Sequence, residues 1–397
     1  LKYWLTILKI HNPEIVIFNS IPHCIYDYIA YALCQRKGIE TRAFGFTSLS
    51  YMCVPMKNIY EVSSAAILYN KLLKKKEYKF SLSIELKKDM EKIRKTHEYS
   101  KVMAPSIKRI LFHIEPFQNS KDSSLLQMAY NFYKEVRPIV GSLRLPDKQT
   151  YFKQEGIRVE DGTHMSNFKY HLFKYKTKKK KKMLFAYYNK FVVKPDFDKS
   201  YIYLAFQYQP ELTSSPLGDF FVNQLIMVEL LSKALPEGWH IYIKENPLQF
   251  APKFYGGASR SVEFYDDLRS LDNVSFVSLR TSPYELIESA RAVASLNGTS
   301  GFEAIVKGVP VLTLGHAWYN GCEGVFYVQT AEECKEVFEK IRNGYKVDYE
   351  KVKLFMHAVE KTSIRGFLYH GEKGNTHITD EENKKAFINS LQEDKIQ

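Results

Sequence analysis

The chain has 397 residues, too many for one ordinary domain and enough for two, each able to bury its own core. With 45% hydrophobic and 25% charged residues, disorder and fibrous folds are excluded. Basic residues exceed acidic ones by 57 to 44, but seven lysines fall between Lys174 and Lys182, so the excess is largely one local patch and not a face that tracks nucleic acid.

Residues 14 to 46 read as strand, helix, strand: Glu14 to Phe18, an apolar-periodic stretch from Tyr26 to Gln35, then Glu40 to Phe46. The first turn, Asn19 to His23, follows the carboxyl end of a strand, where open α/β sheets place ligands. His23 is therefore a site candidate, with helix capping as the structural alternative. From Ser81 to Val136 the pattern is helical and charged; Ser123 to Gln127 looks like a helix start and Pro138 like its end. Residues 140 to 198 are polar and lysine-rich and read as a linker. Flanked by Phe173, Tyr175 and Met183, the run Lys174–Lys182 also suits the anionic face of a membrane.

Regular alternation follows. Strands are expected at Tyr201–Phe206, Trp239–Lys244, Val274–Ser278, Ala292–Leu296 and Val309–Leu314, with helices at Asp219–Leu235, Pro283–Ala290 and Gly301–Lys307. Such repetition implies a parallel sheet with right-handed crossovers. Helices from Ala331 to Asn343 and from Tyr349 to Lys361 close the pattern. The expected division is 1–198, an N-terminal Rossmann-like domain with a helical insertion and basic linker; 199–345, a second Rossmann-like domain; and 346–397, helices packing back on the first.

Five cysteines, odd in number and without a CxxC pair, fit a reducing cytoplasm, and no stretch reaches 18 apolar residues. Membrane contact is thus expected to be peripheral. The first residue is Leu1 and not Met, so an upstream part is expected.

The most informative segment is Ala294 to Ala304, a strand entering a helix through the small-residue turn Asn297-Gly298-Thr299-Ser300-Gly301. Free N–H groups and the positive helix end would favour an anion, with both hydroxyls able to donate to phosphate oxygens. An equally local reading is a capping box, with Ser300 as N-cap and Glu303 reaching back; Ser282-Pro283-Tyr284-Glu285 has the same form. Two other strand ends, Gln207 to Gly218 and Lys244 to Pro247, point to the same sheet edge. A carboxylate, a lysine and a phosphate cradle would meet there, although Glu211 and Glu245 taken singly also read as solvated loop acids.

Together these segments resemble the capsule polysaccharide biosynthesis family that includes the bacterial β-Kdo transferases. The resemblance rests on Gln209-Pro210-Glu211 with Thr213 to Gly218, Lys244-Glu245-Asn246-Pro247, Gly257 to Arg260 with Phe264-Tyr265, Asn297 to Ala304 with Gly308 to Val311, and Gly315 to Tyr319. It covers about 120 residues in order; the first domain shares only its βαβ start and Pro22-His23.

It implies a GT-B fold, two Rossmann-like domains with parallel sheets facing across a cleft. It further implies a metal-independent glycosyltransferase that takes an acidic sugar from a CMP donor to a surface polysaccharide or lipid-linked glycan, with no other cofactor. Glu211 would be the carboxylate at the anomeric carbon, as nucleophile or base. Lys244, Thr299 and Ser300 would hold the leaving phosphate, Arg260 the sugar carboxylate, Glu303 the ribose or the loop, and His23 would face the acceptor. Gln209, Glu245, Pro247, Gly298, Gly301, Gly315 and Tyr319 complete the implied donor site. The family has His-Pro where this chain has Asn246-Pro247, and an amide donates a hydrogen bond but carries no charge.

Three other readings compete. Asp196-Phe197-Asp198 has the spacing of a GT-A metal site, but it follows a proline and precedes a strand. A non-catalytic nucleotide-binding partner in capsule assembly would keep the fold without the chemistry. A sugar-nucleotide epimerase would share the architecture.

Overall fold

The computed structural model describes residues 1–47, 49, 51–75, 79–96, 125–142, 167–209, 214–251, 256–368 and 378–393. Two sheets organise them. The larger comprises β4 (Val192–Val193), β5 (Tyr201–Ala205), β6 (His240–Lys244), β7 (Val274–Val277), β8 (Ala292–Ser295), β9 (Val311–Thr313) and β10 (Val325–Tyr327). Their order is β10-β9-β8-β5-β6-β7-β4, and every adjacent pair is parallel. Every residue of β5, β8 and β9 is buried, as the continuous apolar runs require of strands covered on both faces.

The smaller sheet has β1 (Ile15–Ile17), β2 (Glu40–Phe46), β3 (Met52–Met56) and β11 (Ile364–Arg365), in the order β1-β2-β3-β11. The expected βαβ opening is present: β1 and β2 are parallel, joined by the helix Ile25–Lys37. Here the sheet departs from the expected parallel arrangement, because β3 turns back and pairs antiparallel with both β2 and β11. The short connection from Thr47 to Tyr51 can close only a hairpin, since a parallel return needs a crossover.

One face of the large sheet is covered by the helices Asn167–Lys190, Gln224–Ala234 and Ala331–Arg342, which bury Leu184, Tyr188, Val228 and Phe338. The expected linker is therefore partly wrong. Residues 167–190 form one helix, and Leu184, Phe185 and Tyr188 anchor it in the core of the second unit. Pro138 likewise lies inside the helix Leu125–Ser142 and does not end it.

On the other face sit the helices Ser64–Leu73, Ile84–Lys95, Thr299–Val306 and Tyr349–Thr362, burying Tyr69, Leu86, Phe302 and Phe355. Two of these come from the first third of the chain, so the two units share a core. The Lys307 ammonium reinforces the seam by donating to the Thr96 carbonyl at 2.7 Å and pairing with Glu288 at 2.7 Å. The last described helix, Asp380–Glu393, returns to the small sheet, where Phe387 meets Phe44 with ring centroids 4.9 Å apart.

Candidate functional site at the carboxyl edge of the large sheet

From β5 the chain winds outward through β6 and β7, then returns to the other side of β5 with β8 and continues through β9 and β10. The reversal lies between β5 and β8. In open parallel sheets that point leaves a crevice beyond the carboxyl ends of the strands. The connections that leave this edge include Phe206 to Gln209 after β5, Glu245 to Pro247 after β6, Leu296 to Gly298 after β8, and Leu314 to His316 after β9.

The turn after β8 is built tightly. The Ser295 hydroxyl accepts the Gly298 N–H at 3.1 Å and the Gln207 side-chain amide at 2.9 Å, tying the ends of β5 and β8 together. A Cβ on Gly298 would lie 2.5 Å from that amide, and one on Gly301 would lie 2.3 Å from the Tyr319 hydroxyl. Buried Tyr319 donates to the Gly298 carbonyl at 2.7 Å. The glycines are thus required by packing inside the protein, and Tyr319 acts from beneath the turn. Gly315 is similar, since a Cβ there would lie 2.6 Å from the Leu217 carbonyl.

The helix opens at Thr299 with Gly298 as N-cap and no side-chain cap bond. The expected Ser300–Glu303 capping box is therefore not formed: the helix starts before Ser300, which falls inside its first turn. By contrast, Ser282 does cap its helix, accepting from the Glu285 N–H. Thr299 is exposed and Ser300 half-buried, and both lie in the first turn, where N–H groups have no intrahelical partner and the N-cap offers no side chain.

Lys244, at the end of β6, is buried, and its ammonium donates to the Thr281 carbonyl at 2.6 Å. Burial pushes its pKa down to about 7, against the opposing charge of Glu303. Glu303 shows the mirror effect: burial pushes its carboxyl up to about 7, opposed by Lys307 and Lys244. The β6 end and the helix after β8 therefore bring a lysine and a glutamate into each other's field, both poised to change charge near neutral pH.

Glu245 and Arg260 form a different kind of unit. The Arg260 guanidinium donates through Nε to Glu245 at 2.8 Å and through Nη2 at 3.2 Å, while Nη1 donates to the Gln209 side-chain oxygen. The Tyr265 hydroxyl donates to Glu245 at 3.0 Å, and neither Arg260 nor Glu245 exposes any side chain. The expectation that Arg260 meets a sugar carboxylate gives way to a structural role, since its donors face protein acceptors in a dry interior. Gln209 and Glu245 belong to the same frame, and Glu245 is not the solvated loop acid it resembled. Asn246 caps the short 3₁₀ turn Pro247–Phe250, accepting the Leu248 N–H at 3.0 Å, with Pro247 at the turn's first position.

Glu211 lies outside the described residues. His23 is exposed, and its Nδ1 is 2.8 Å from the Ile21 carbonyl; Cys24, not His23, is the helix N-cap. Its neighbour Ile21 packs in a small cluster with Tyr31, Ile59 and Leu217, and Leu217 comes from the loop after β5. That contact places the first turn of the N-terminal unit beside the carboxyl edge.

Sequence reasoning missed the residues at this seam. His316, after β9, packs its ring against Tyr60 of the first unit at 5.1 Å and against Tyr327 at 5.7 Å. Burial lowers its pKa, opposed by the charge of Asp219, a residue held at φ 48°. The available signal was positional: His316 lies three residues past the end of β9, in a turn at the same edge as Asn297. Asp196 and Asp198 sit before β5, at the opposite edge, where the Asp196 carboxylate accepts the Asp198 N–H at 3.1 Å. Among the described residues no group of three His, Cys, Asp or Glu is arranged to hold a metal ion, and no helix is long and apolar enough to cross a membrane.

The sheet order defines a doubly wound α/β protein with its switch point between β5 and β8. Residues 216–369 match the capsule polysaccharide biosynthesis protein family, so the resemblance drawn from the sequence is borne out over that stretch. The match opens after Gln209-Pro210-Glu211. Comparison with curated proteins gives no match. Solved structures similar to the chain include the β-Kdo 2,4 transferase of Thermosulfurimonas dismutans KpsC, at 11% identity and TM-score 0.34, covering 87% of this chain and 78% of that one. The β-Kdo 2,7 transferase of the same KpsC shows 17% identity and TM-score 0.28, over 45% and 52%. A UDP-GlcNAc 2-epimerase from Methanocaldococcus jannaschii shows 13% identity and TM-score 0.28, over 46% and 54%. The chain spans about half the length of the first solved structures it matches.

Proposed function

We propose that the protein is a glycosyltransferase that moves an acidic ulosonic sugar, Kdo or a related nonulosonate, from its CMP-activated donor to a surface polysaccharide or lipid-linked glycan in the cytoplasm. The observation that carries this reading is the helix start at Gly298–Ser300, without a side-chain cap and set at the switch point, in a helix whose Glu303 lies in the field of Lys244 at the end of β6. The N–H groups and hydroxyls of Thr299 and Ser300 would take the phosphate, and a protonated Lys244 would balance its charge as CMP leaves. Glu303 would accept ribose hydroxyls. Glu211 would act at the anomeric carbon and His23 on the acceptor side, with no metal and no cofactor besides the donor.

The test is nucleotide titration followed by transfer assays with CMP-Kdo and CMP-nonulosonates. CMP should bind and UDP should not, and Thr299→Ala with Ser300→Ala should weaken CMP by about 1 to 3 kcal/mol, the worth of hydrogen bonds to a charged group. Glu211→Gln should abolish transfer with CMP affinity within a few-fold. Preference for a UDP-sugar would move the chain to the epimerase reading.

One observation favours a second reading. Asn246, which stands where the family has histidine, uses its side-chain oxygen as a turn cap. A chain that had lost chemistry there would bind CMP without turnover, as a nucleotide-binding partner in capsule assembly. CMP release from a CMP-sugar in the presence of glycan acceptor eliminates it.

A further inference from the structure

The lysine run is not a linker, and the way it is held gives it a purpose. The helix Asn167–Lys190 carries nine lysines and no acid. One of them is structural: Lys181 is buried, donates to the Ala251 carbonyl at 2.7 Å, and covers Gly257, where a Cβ would lie 2.8 Å from its Cγ. Burial pushes its pKa down to about 8. This anchor fixes the helix against the segment following β6, beside Asn246 and Pro247. Lys174, Lys176, Lys179 and Lys180 remain exposed, and the stripe Lys169, Phe173, Lys176, Lys180, Met183 repeats at helical spacing, with Phe173 and Met183 exposed among the lysines.

The helix Leu125–Ser142 packs against this one. Its exposed residues have the same mixed character: Tyr130, Tyr133, Lys134, Arg137 and Val140 share one face, and the tyrosines are more than half exposed. Exposed tyrosines, valine and phenylalanine interleaved with cations are costly in water. They suit the headgroup zone of a bilayer, where rings are half-immersed and cations meet lipid phosphates. A purely electrostatic partner such as nucleic acid would not need the apolar residues.

We propose that the paired helices 125–142 and 167–190 dock the protein on an anionic phospholipid bilayer and hold the carboxyl edge of the large sheet next to the lipid surface. The inference stands apart from the donor assignment, since the surface lies outside the nucleotide cradle.

Co-sedimentation of the full chain with phosphatidylcholine vesicles, with and without phosphatidylglycerol, tests it. Binding should appear with the anionic vesicles only and be released by salt near 1 M, a measurement that needs no variant. The variant Lys174→Gln, Lys176→Gln, Lys179→Gln, Lys180→Gln should lose affinity by roughly five-fold per lysine, and Tyr130→Ser with Tyr133→Ser should weaken binding while leaving its salt dependence. An unchanged melting temperature and circular-dichroism spectrum in these variants would show that the fold is intact. Equal binding to neutral vesicles, wild-type affinity in the four-lysine variant, or tighter binding to transfer RNA than to anionic vesicles at the same salt would each overturn the proposal.

Discussion

Replacing Arg260 by Met separates a structural arginine from a ligand-binding one. In the native protein the guanidinium makes two hydrogen bonds to Glu245, at 2.8 and 3.2 Å, and its carbon lies 4.5 Å from the Phe264 ring centre, with no exposure of either charged side chain. Arg260→Met would leave Glu245 buried with only the Tyr265 hydroxyl and the Asn246 N–H as donors. Stranding a buried charge in this way costs about 3 to 5 kcal/mol. For a unit of this size that is a fall of about 6 to 20 °C in the unfolding midpoint, measurable by calorimetry or circular dichroism. Adding Glu245→Leu should recover much of the loss, because a buried pair replaced by apolar side chains is often neutral. The reasoning is refuted if Arg260→Met melts like the native chain yet binds CMP-Kdo more weakly than CMP. That outcome would return Arg260 to the sugar carboxylate.

Other expectations follow from the same edge. CMP affinity measured by calorimetry should fall as pH rises from about 6.5 to 8.5, because Lys244 loses its proton and Glu303 becomes charged through about 7, both disfavouring an anion. Lys244→Met should make that profile shallower, leaving the Glu303 part, and weaken CMP without lowering the melting temperature, since it removes a buried cation; a profile as steep as the native one would assign the Lys244 part elsewhere. Gly301→Ala should destabilise the fold by about 1 to 3 kcal/mol through its clash with the Tyr319 hydroxyl, and Gly301→Ala in a Tyr319→Phe background should lose less. Tyr60→Ala should raise the His316 pKa, read by proton NMR, as solvent reaches the ring. No change would place the burial of His316 on other residues.

Much of the second unit was legible because each strand is a buried apolar run followed by a periodic helix, so β5, β6, β7, β8 and β9 fall where period and turn residues put them. The strands that were missed owe their existence to partners. β4 and β11 are two residues long, β10 three, and β3 contains Pro55; none has a pattern of its own until β7, β3, β9 or β2 lies alongside. The helix 167–190 was hidden by its composition, because seven lysines mask the Leu184, Phe185 and Tyr188 anchor. The site was half legible. Lys244 and the 298–301 turn could be placed at one edge from strand order alone. That Arg260 is consumed by Glu245, 15 residues away, depends on how the helix Val262–Arg269 packs, which no local spacing encodes. Ser300 and Glu303 satisfied the capping pattern, but the helix starts at Thr299, so Ser300 stands inside the first turn and not at its N-cap.

The pairing of β11 with β3 has a consequence for biosynthesis. Ile364 lies opposite Cys53, and the Cys53 thiol donates to the Gly366 carbonyl, so the small sheet is completed by residues translated some three hundred codons after its other strands. While the ribosome is at work, β3 presents an unpaired edge, which in other chains invites aggregation. A nascent chain released before Ile364 would therefore keep the β1-β2-β3 pairing but leave the β3 edge open.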